Sequence, residues 1–195
     1  MAVLGTLLRN RRPDEQTHAW QQPNLAGPET LTVTSRDFTD HGPLDPRFTG
    51  TRVGGRNLSP HLGWSTPPAG TAELLLLIED IDVPLGSTPA VHCLALVHEA
   101  HLPSPQELLP GALNKNTPAP GVTLLRSVVS RGYYGPEPLK GHGPHRYVFA
   151  LYALATPLLT TPDRETLLKT RPRRLLENLT TPILARGRIT GTSER

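Results

Sequence analysis

The sequence predicts a mostly β domain with helices added near its C-terminus, and three observations carry that expectation. The chain of 195 residues holds 22 prolines and 17 glycines, so much of it must be turns and irregular connections rather than a helical bundle. "TAELLLLIEDIDVP" contains a continuous apolar run, Leu74 to Ile78, of the length and kind that suits a strand buried on both faces, and "AVHCLALVHEA" is a second. In "ETLTVTSRDF", Leu31, Val33 and Ser35 alternate with Thr32 and Thr34, the period of a half-buried strand.

Taken in order, residues 1–29 read as an N-terminal extension: a short helix over "VLGTLLRN", then irregular chain through "RRPDEQTHAWQQPNL". A single domain follows over 30–195. Residues 50–70 are turn-rich around a short "HLGW" strand, and residues 110–144 form a long excursion with little regular structure. Loops of that length in a compact domain are functional or disordered. "HRYVFALYAL", from His145 to Leu154, supplies a third buried strand. Thr161, Pro162 and Asp163 then start a helix over "RETLLKT". "RPRRLLENLTTPILARG" has helical spacing, divided at Pro182 and closed by Gly187.

Charge and motifs exclude more than they assign. A net charge of +3 with 5% aromatic residues is too small an excess, too poor in aromatics, to argue for nucleic acid. Cys93 is the one cysteine, which removes a disulfide framework and a paired-cysteine redox or zinc site. The N-terminus places its basic residues behind a short apolar run, the reverse of a secretory signal, and no stretch is long enough to span a bilayer; the expectation is a cytoplasmic protein. The glycosylation patterns at Asn57 and Asn178 carry no meaning there. "HEAH", 98–101, is one residue short of the zinc-protease motif, and no nucleophile elbow, phosphate loop or dinucleotide turn is present. No cofactor or metal is expected.

Polar groups gather instead where apolar strands meet loops. Asp80 and Asp82 are two apart at a strand's end, hence on one face, with Pro84 stopping the ladder. His92 shares a strand face with Ala90, Leu94 and Leu96, which turns Cys93 the other way. His145 and Tyr147 stand side by side at the start of the third strand. Two imidazoles, a phenol and carboxylates suit a site that grips an anion or moves protons. Spacing alone favours the blander reading, a set of unrelated, individually satisfied polar residues.

In order, "NLSPHLGW", "PPAGTAELLLLIEDIDVP", "VHCLAL" and "GYYGPEPLKGHGPHRYVFALYAL" resemble the signatures of the phosphatidylethanolamine-binding protein family, also called the Raf kinase inhibitor-like family. "LARGRITGTSER" looks like the terminal helix and tail of its bacterial and fungal branch. The resemblance runs from about Leu31 to the C-terminus. It implies an antiparallel β-sandwich with short helices and a small anion pocket. Carried over residue by residue, the ligand-binding positions are Asp80, Asp82, Pro84, His92, Gly135, Pro138, His145 and Tyr147. Donors from both imidazoles, the Tyr147 hydroxyl and loop amides near Gly135 would converge on the anion. Which histidine Asp80 contacts is open at this point.

The sequence departs from the family pattern at Ile81, Val83, Cys93, Glu137 and Ser193, making the site more apolar and adding a carboxylate to the loop. The resemblance implies one of two functions. The first is capture of a small phosphate-like or carboxylate anion, or of a lipid head group, with a kinase or protease as the protein partner. The second is an enzyme of a polyketide pathway that dimerises maleic-anhydride monomers, using Asp80, His92, His145 and Tyr147 for acid–base chemistry.

Overall fold

The computed structural model describes residues 2–158 and 164–195. Its centre is a five-stranded antiparallel sheet in the order β6-β4-β3-β7-β8, formed by β3 (Glu73–Asp80), β4 (Ala90–Val97), β6 (Val122–Leu124), β7 (His145–Leu154) and β8 (Ile183–Ser193). A smaller sheet, β1-β2-β5, pairs Val33–Thr34, Leu62–Trp64 and Glu107–Leu108.

Both faces of the large sheet are covered, which is why its central strands read as unbroken apolar runs. On one face Leu74, Leu76, Ile78, Phe149 and Leu151 pack with Val33, Leu62, Trp64 and Leu108 of the small sheet. On the other, Leu75, Leu77, Leu94, Leu96 and Tyr152 meet Trp20 and Leu25 from the N-terminal segment and Leu175 and Leu176 from α3 (Pro172–Glu177). The N-terminal segment begins with α1 (Ala2–Leu7) and continues through three 3₁₀ turns, at Glu15–Thr17, Ala19–Gln21 and Pro23–Leu25. Arg186 and Arg188 lay their guanidinium groups over the Trp20 ring, 3.9 and 4.5 Å from its centroid. Such stacking adds to the apolar burial.

The C-terminal segment corrects the sequence reading. Helix α2 (Arg164–Lys169) and α3 are present, and the start signal at 161–163 lies outside the described residues. The stretch expected to continue as helix and to close at Gly187 is instead the eleven-residue strand β8. Its period is two: Ile183, Ala185, Gly187 and Ile189 are buried, while Leu184, Arg186 and Arg188 are more open. Strand β7 needs a partner for a full edge of backbone groups, and β8 pairs with it from His145↔Ser193 to Leu154↔Ile183. Gly187 ends nothing; a Cβ there would sit 2.0 Å from the Leu31 carbonyl oxygen, so glycine permits the close approach.

Candidate functional site

The end of β3, the start of β4 and the start of β7 meet at one end of the sandwich, with Asp80 opposite both Ala90 and Tyr147. The register of β3 on β4 slips there: Ile78 faces Cys93 and Glu79 faces Val91, so His92 is the extra residue of a β-bulge. Regular alternation would have put His92 with Leu94 and Leu96. The bulge turns it to the side of Cys93 instead, where its ring meets Tyr147 edge-on at 5.1 Å. Without that slip the two histidines would lie on opposite sides of the sheet.

Together they open on a cavity of about 340 Å³ whose wall includes Asp80, Pro84, His92, Pro138, His145 and Arg195. Val83, Leu85, Val128 and Val129 form the apolar part of its lining. Five of the eight positions carried over from the family pattern therefore share one opening.

The imidazoles are held in different ways. The Asp80 carboxylate takes the bond to His145, Oδ2 to Nδ1 at 2.8 Å, and its Oδ1 accepts the Asp82 amide at 2.9 Å. The far nitrogen of His145 is engaged by His142, Nε2 to Nδ1 at 2.9 Å, and His142 Nε2–H donates to the Arg11 carbonyl at 3.1 Å. His92 Nδ1–H donates to the Tyr134 carbonyl at 2.6 Å, since a carbonyl only accepts. That bond fixes the tautomer and leaves Nε2, with its lone pair, for the cavity. Burial lowers the His92 pKa, against the Asp80 charge and the Tyr134 bond, so the free ring is neutral.

Glu137 lines the cavity too, but its Oε2 accepts the Tyr134 hydroxyl at 2.5 Å. Burial and that carboxylate push the Tyr134 phenol up to about 12. The other Glu137 oxygen lies against Gly50, where a Cβ would be 2.0 Å away.

Three expected positions do not reach the cavity wall. Strand β3 ends at Asp80, so the i, i+2 rule no longer governs Asp82, which faces the other side. There it accepts from the Arg146 amide at 2.8 Å, Arg146 Nε at 2.8 Å and Nη2 at 2.9 Å, and pairs with Arg12 Nε at 2.8 Å. Burial alone would raise its pKa, but the Arg146 bonds and the two cations hold it below the usual carboxylate range. The Gly135 amide is not free for a ligand, because Asn57 Oδ1 accepts it at 2.7 Å. Tyr147 is buried behind His92 with its hydroxyl toward Asp80, and burial, then the Asp80 charge, keeps its proton on.

Sequence reasoning missed His142. It is fully buried between Gly141 and Gly143, whose φ values of 83° and 107° suit glycine and turn the ring inward. A histidine bracketed by two glycines just before a strand was the available signal. The "HEAH" residues serve packing: His98 pairs with Glu73 at 2.9 Å, and Glu99 accepts the Trp64 indole at 2.7 Å. Cys93 is buried, and burial pushes its thiol up.

Comparison with known proteins agrees with the fold. A family model described as phosphatidylethanolamine-binding protein matches residues 34–194. The UPF0098 protein of Aquifex aeolicus (strain VF5) is 33% identical over 138 residues, covering 70% of this chain and 75% of that protein. The phomoidride biosynthesis cluster protein B of Talaromyces stipitatus is 32% identical over 139 residues, 66% of this chain but 54% of that longer protein. Among solved structures, Escherichia coli YbcL, described as a new member of the mammalian PEBP family, aligns with a TM-score of 0.68 and 26% identity, covering 85% of this chain and 98% of that one. The family match begins after the segment that contributes Arg11, Arg12 and Trp20.

Proposed function

The chain belongs to the phosphatidylethanolamine-binding protein family, and we propose that its pocket captures a small anion, phosphate-like or carboxylate, by taking up a proton with it. The observation that carries this reading is the His92 ring: one nitrogen is committed to the Tyr134 carbonyl, and the other is left for a cavity that also holds Arg195 and His145. A neutral Nε2 repels an anion, whereas a protonated one donates a charge-assisted hydrogen bond to it. Anion binding therefore raises a pKa that burial has lowered from its ordinary 6.5. Between the free and bound pKa values the complex holds one proton more than the free protein, so affinity falls with rising pH, by about tenfold per pH unit at most.

Calorimetric titration with inorganic phosphate, phosphoethanolamine and maleate tests this from about pH 5 to about pH 8, the range in which histidine changes charge. Sulfate serves as the anion that does not itself titrate. His92→Ala is expected to weaken binding by about tenfold or more and to flatten the pH dependence with sulfate. Equal affinity in both proteins, independent of pH, would sink the reading.

The second reading is an enzyme of specialised metabolism acting on an organic acid or anhydride. It is favoured by the apolar lining at Leu85, Val128 and Val129 and by the relative named for phomoidride biosynthesis. In that case the roles expected from sequence change. His145 has both nitrogens engaged, so His92 Nε2 is the general base within reach of a substrate. Turnover of an anhydride monomer that disappears in His92→Ala would support it; an occupied pocket with no turnover leaves capture. The same apolar rim suits a protein partner, and ligand-dependent binding of a kinase or protease would extend the first reading.

A further inference from the structure

Three hydrogen bonds run in series from the N-terminal segment to the pocket: Arg11 O to His142 Nε2 (3.1 Å), His142 Nδ1 to His145 Nε2 (2.9 Å), and His145 Nδ1 to Asp80 Oδ2 (2.8 Å). Each needs one proton between its two heavy atoms. The carbonyl and an ionised carboxylate supply none, and two neutral imidazoles supply only two. With two protons, one contact would set lone pair against lone pair at hydrogen-bond distance, along a chain whose three side chains, Asp80, His142 and His145, are no more than 4% exposed.

We propose that His142 is a positioning residue that keeps a third proton on His145, so that the Asp80 end of the pocket is electrically neutral toward an arriving anion. The direction of the chain makes the assignment. Arg11 O can only accept, so His142 carries its proton on Nε2 and presents a lone pair at Nδ1. His145 must then donate from Nε2 to His142 and from Nδ1 to Asp80, which makes it an imidazolium paired with the carboxylate. The Arg11 carbonyl is what demands the extra proton. Withdraw it, and His142 can switch to its other tautomer and donate from Nδ1 to His145. His145 then donates only to Asp80, two protons satisfy both remaining bonds, and the trio carries one negative charge.

The groups around the trio do not supply that neutralisation themselves. Asp82, behind the strand end, is matched by Arg12 and Arg146. His92 and Tyr147 are neutral, and Arg195 and Glu137 in the cavity wall have opposite signs. The carbonyl comes from a segment outside the family match, docked by α1. That helix rests on the loop before β7 through Gly5, where a Cβ would lie 2.1 Å from the Lys140 carbonyl oxygen and 2.8 Å from the His142 amide. A larger residue at Gly5 therefore pushes α1 away from the backbone of Lys140 and His142 and leaves every site side chain in the sequence unchanged. The effect on anion affinity rests on the anion-pocket reading; the proton count does not.

The test is proton–nitrogen correlation spectroscopy on the full chain labelled at its histidine nitrogens, at neutral pH and without ligand. Wild type should show His142 protonated at Nε2 alone and His145 protonated at both nitrogens. His142→Leu and Gly5→Leu should both return His145 to a neutral ring. His142→Asn, whose amide can accept from His145 and donate to Arg11, should keep the imidazolium. Affinity for inorganic phosphate should fall about tenfold in the first two variants and stay within about twofold in the third. A neutral His145 in wild type, or a Gly5→Leu spectrum unchanged from it, overturns the inference. Should His142→Leu fail to fold, Gly5→Leu and His142→Asn decide the matter. Should phosphate not bind wild type at all, the anion reading fails while the histidine spectra still decide the proton count.

Discussion

The first turn of β7 presents two contrasting regions, one on each face. His145 and Tyr147 point into the sandwich end, and Arg146 between them points out to a second cavity. That outer cleft, about 510 Å³, is larger than the histidine pocket at about 340 Å³, and Arg12, Arg146 and Arg188 line it. Size and cation count would select the cleft as the anion site; the arrangement of charges selects the pocket. In the cleft, Arg146 and Arg12 converge on Asp82, and Glu15 and Asp40 add two more carboxylates to the wall. Its cations are answered by the protein's own anions. In the pocket, the bulge at His92 leaves a lone nitrogen for empty space, and the proposed chain through His142 offsets the Asp80 charge that would repel an anion. The outer face braces the strand ends, and the inner face holds the site proposed for a guest.

Breaking the brace should cost the most. Arg146→Ala strikes at the three hydrogen bonds that this residue makes to the Asp82 carboxylate, which also pairs with Arg12. The backbone amide bond survives the substitution, so two of those three are lost outright. We expect a stability loss of about 3 kcal/mol by chemical denaturation, with phosphate affinity changed by less than about threefold. A collapse of affinity with little loss of stability would show that the outer face belongs to the site.

The same brace has a pH signature. The folded pKa of Asp82 lies below its ordinary 3.8. The unfolded chain therefore binds a proton first as pH falls, so this stabilisation is complete above the unfolded value and is lost as pH drops through the folded one. Acid titration of stability should show a component below about pH 4 that is smaller in Arg146→Ala. Anion affinity changes instead in the histidine range, so the two faces should separate cleanly along one pH axis. An acid limb of equal size in both proteins would assign it to other carboxylates.

What could be read from sequence divides along the same line. Strands β3, β4 and β7 were legible because burial on both faces leaves an unbroken apolar run. Strand β8 was not, because Gly187, Gly191, Arg186 and Arg188 dilute its alternation. Its glycines are set by neighbours remote in sequence: a Cβ at Gly191 would lie 2.6 Å from Leu44. The pocket residues were recognisable as a set of polar groups at strand ends, supported by the family resemblance. Their directions were not. A bulge is a property of two strands, so nothing in "AVHCLAL" alone reveals that His92 and Cys93 turn the same way. Asp82 was misplaced because the strand stops two residues earlier. The Arg11 contribution is a backbone carbonyl, which no side chain announces.

The smallest expected effect tests how far the pocket's neutrality extends. Glu137 stands in the cavity wall with one oxygen bonded to Tyr134 and the other against Gly50. Its charge acts twice, repelling a bound anion directly and favouring protonation of His92. Glu137→Gln keeps the shape and removes both influences, which oppose each other near neutral pH. Sulfate affinity there should change by less than about threefold, since partly solvated charges interact weakly. The pH at which affinity begins to fall should move lower, because His92 loses a neighbour that favours its charged form. Phosphoethanolamine offers the sharper contrast: its ammonium would be drawn to Glu137, whereas sulfate has nothing to offer that carboxylate. A loss confined to phosphoethanolamine would make Glu137 the ammonium subsite and identify the guest as zwitterionic. A comparable loss for sulfate would mean that the carboxylate organises the pocket through Tyr134 and the carbonyl that holds His92.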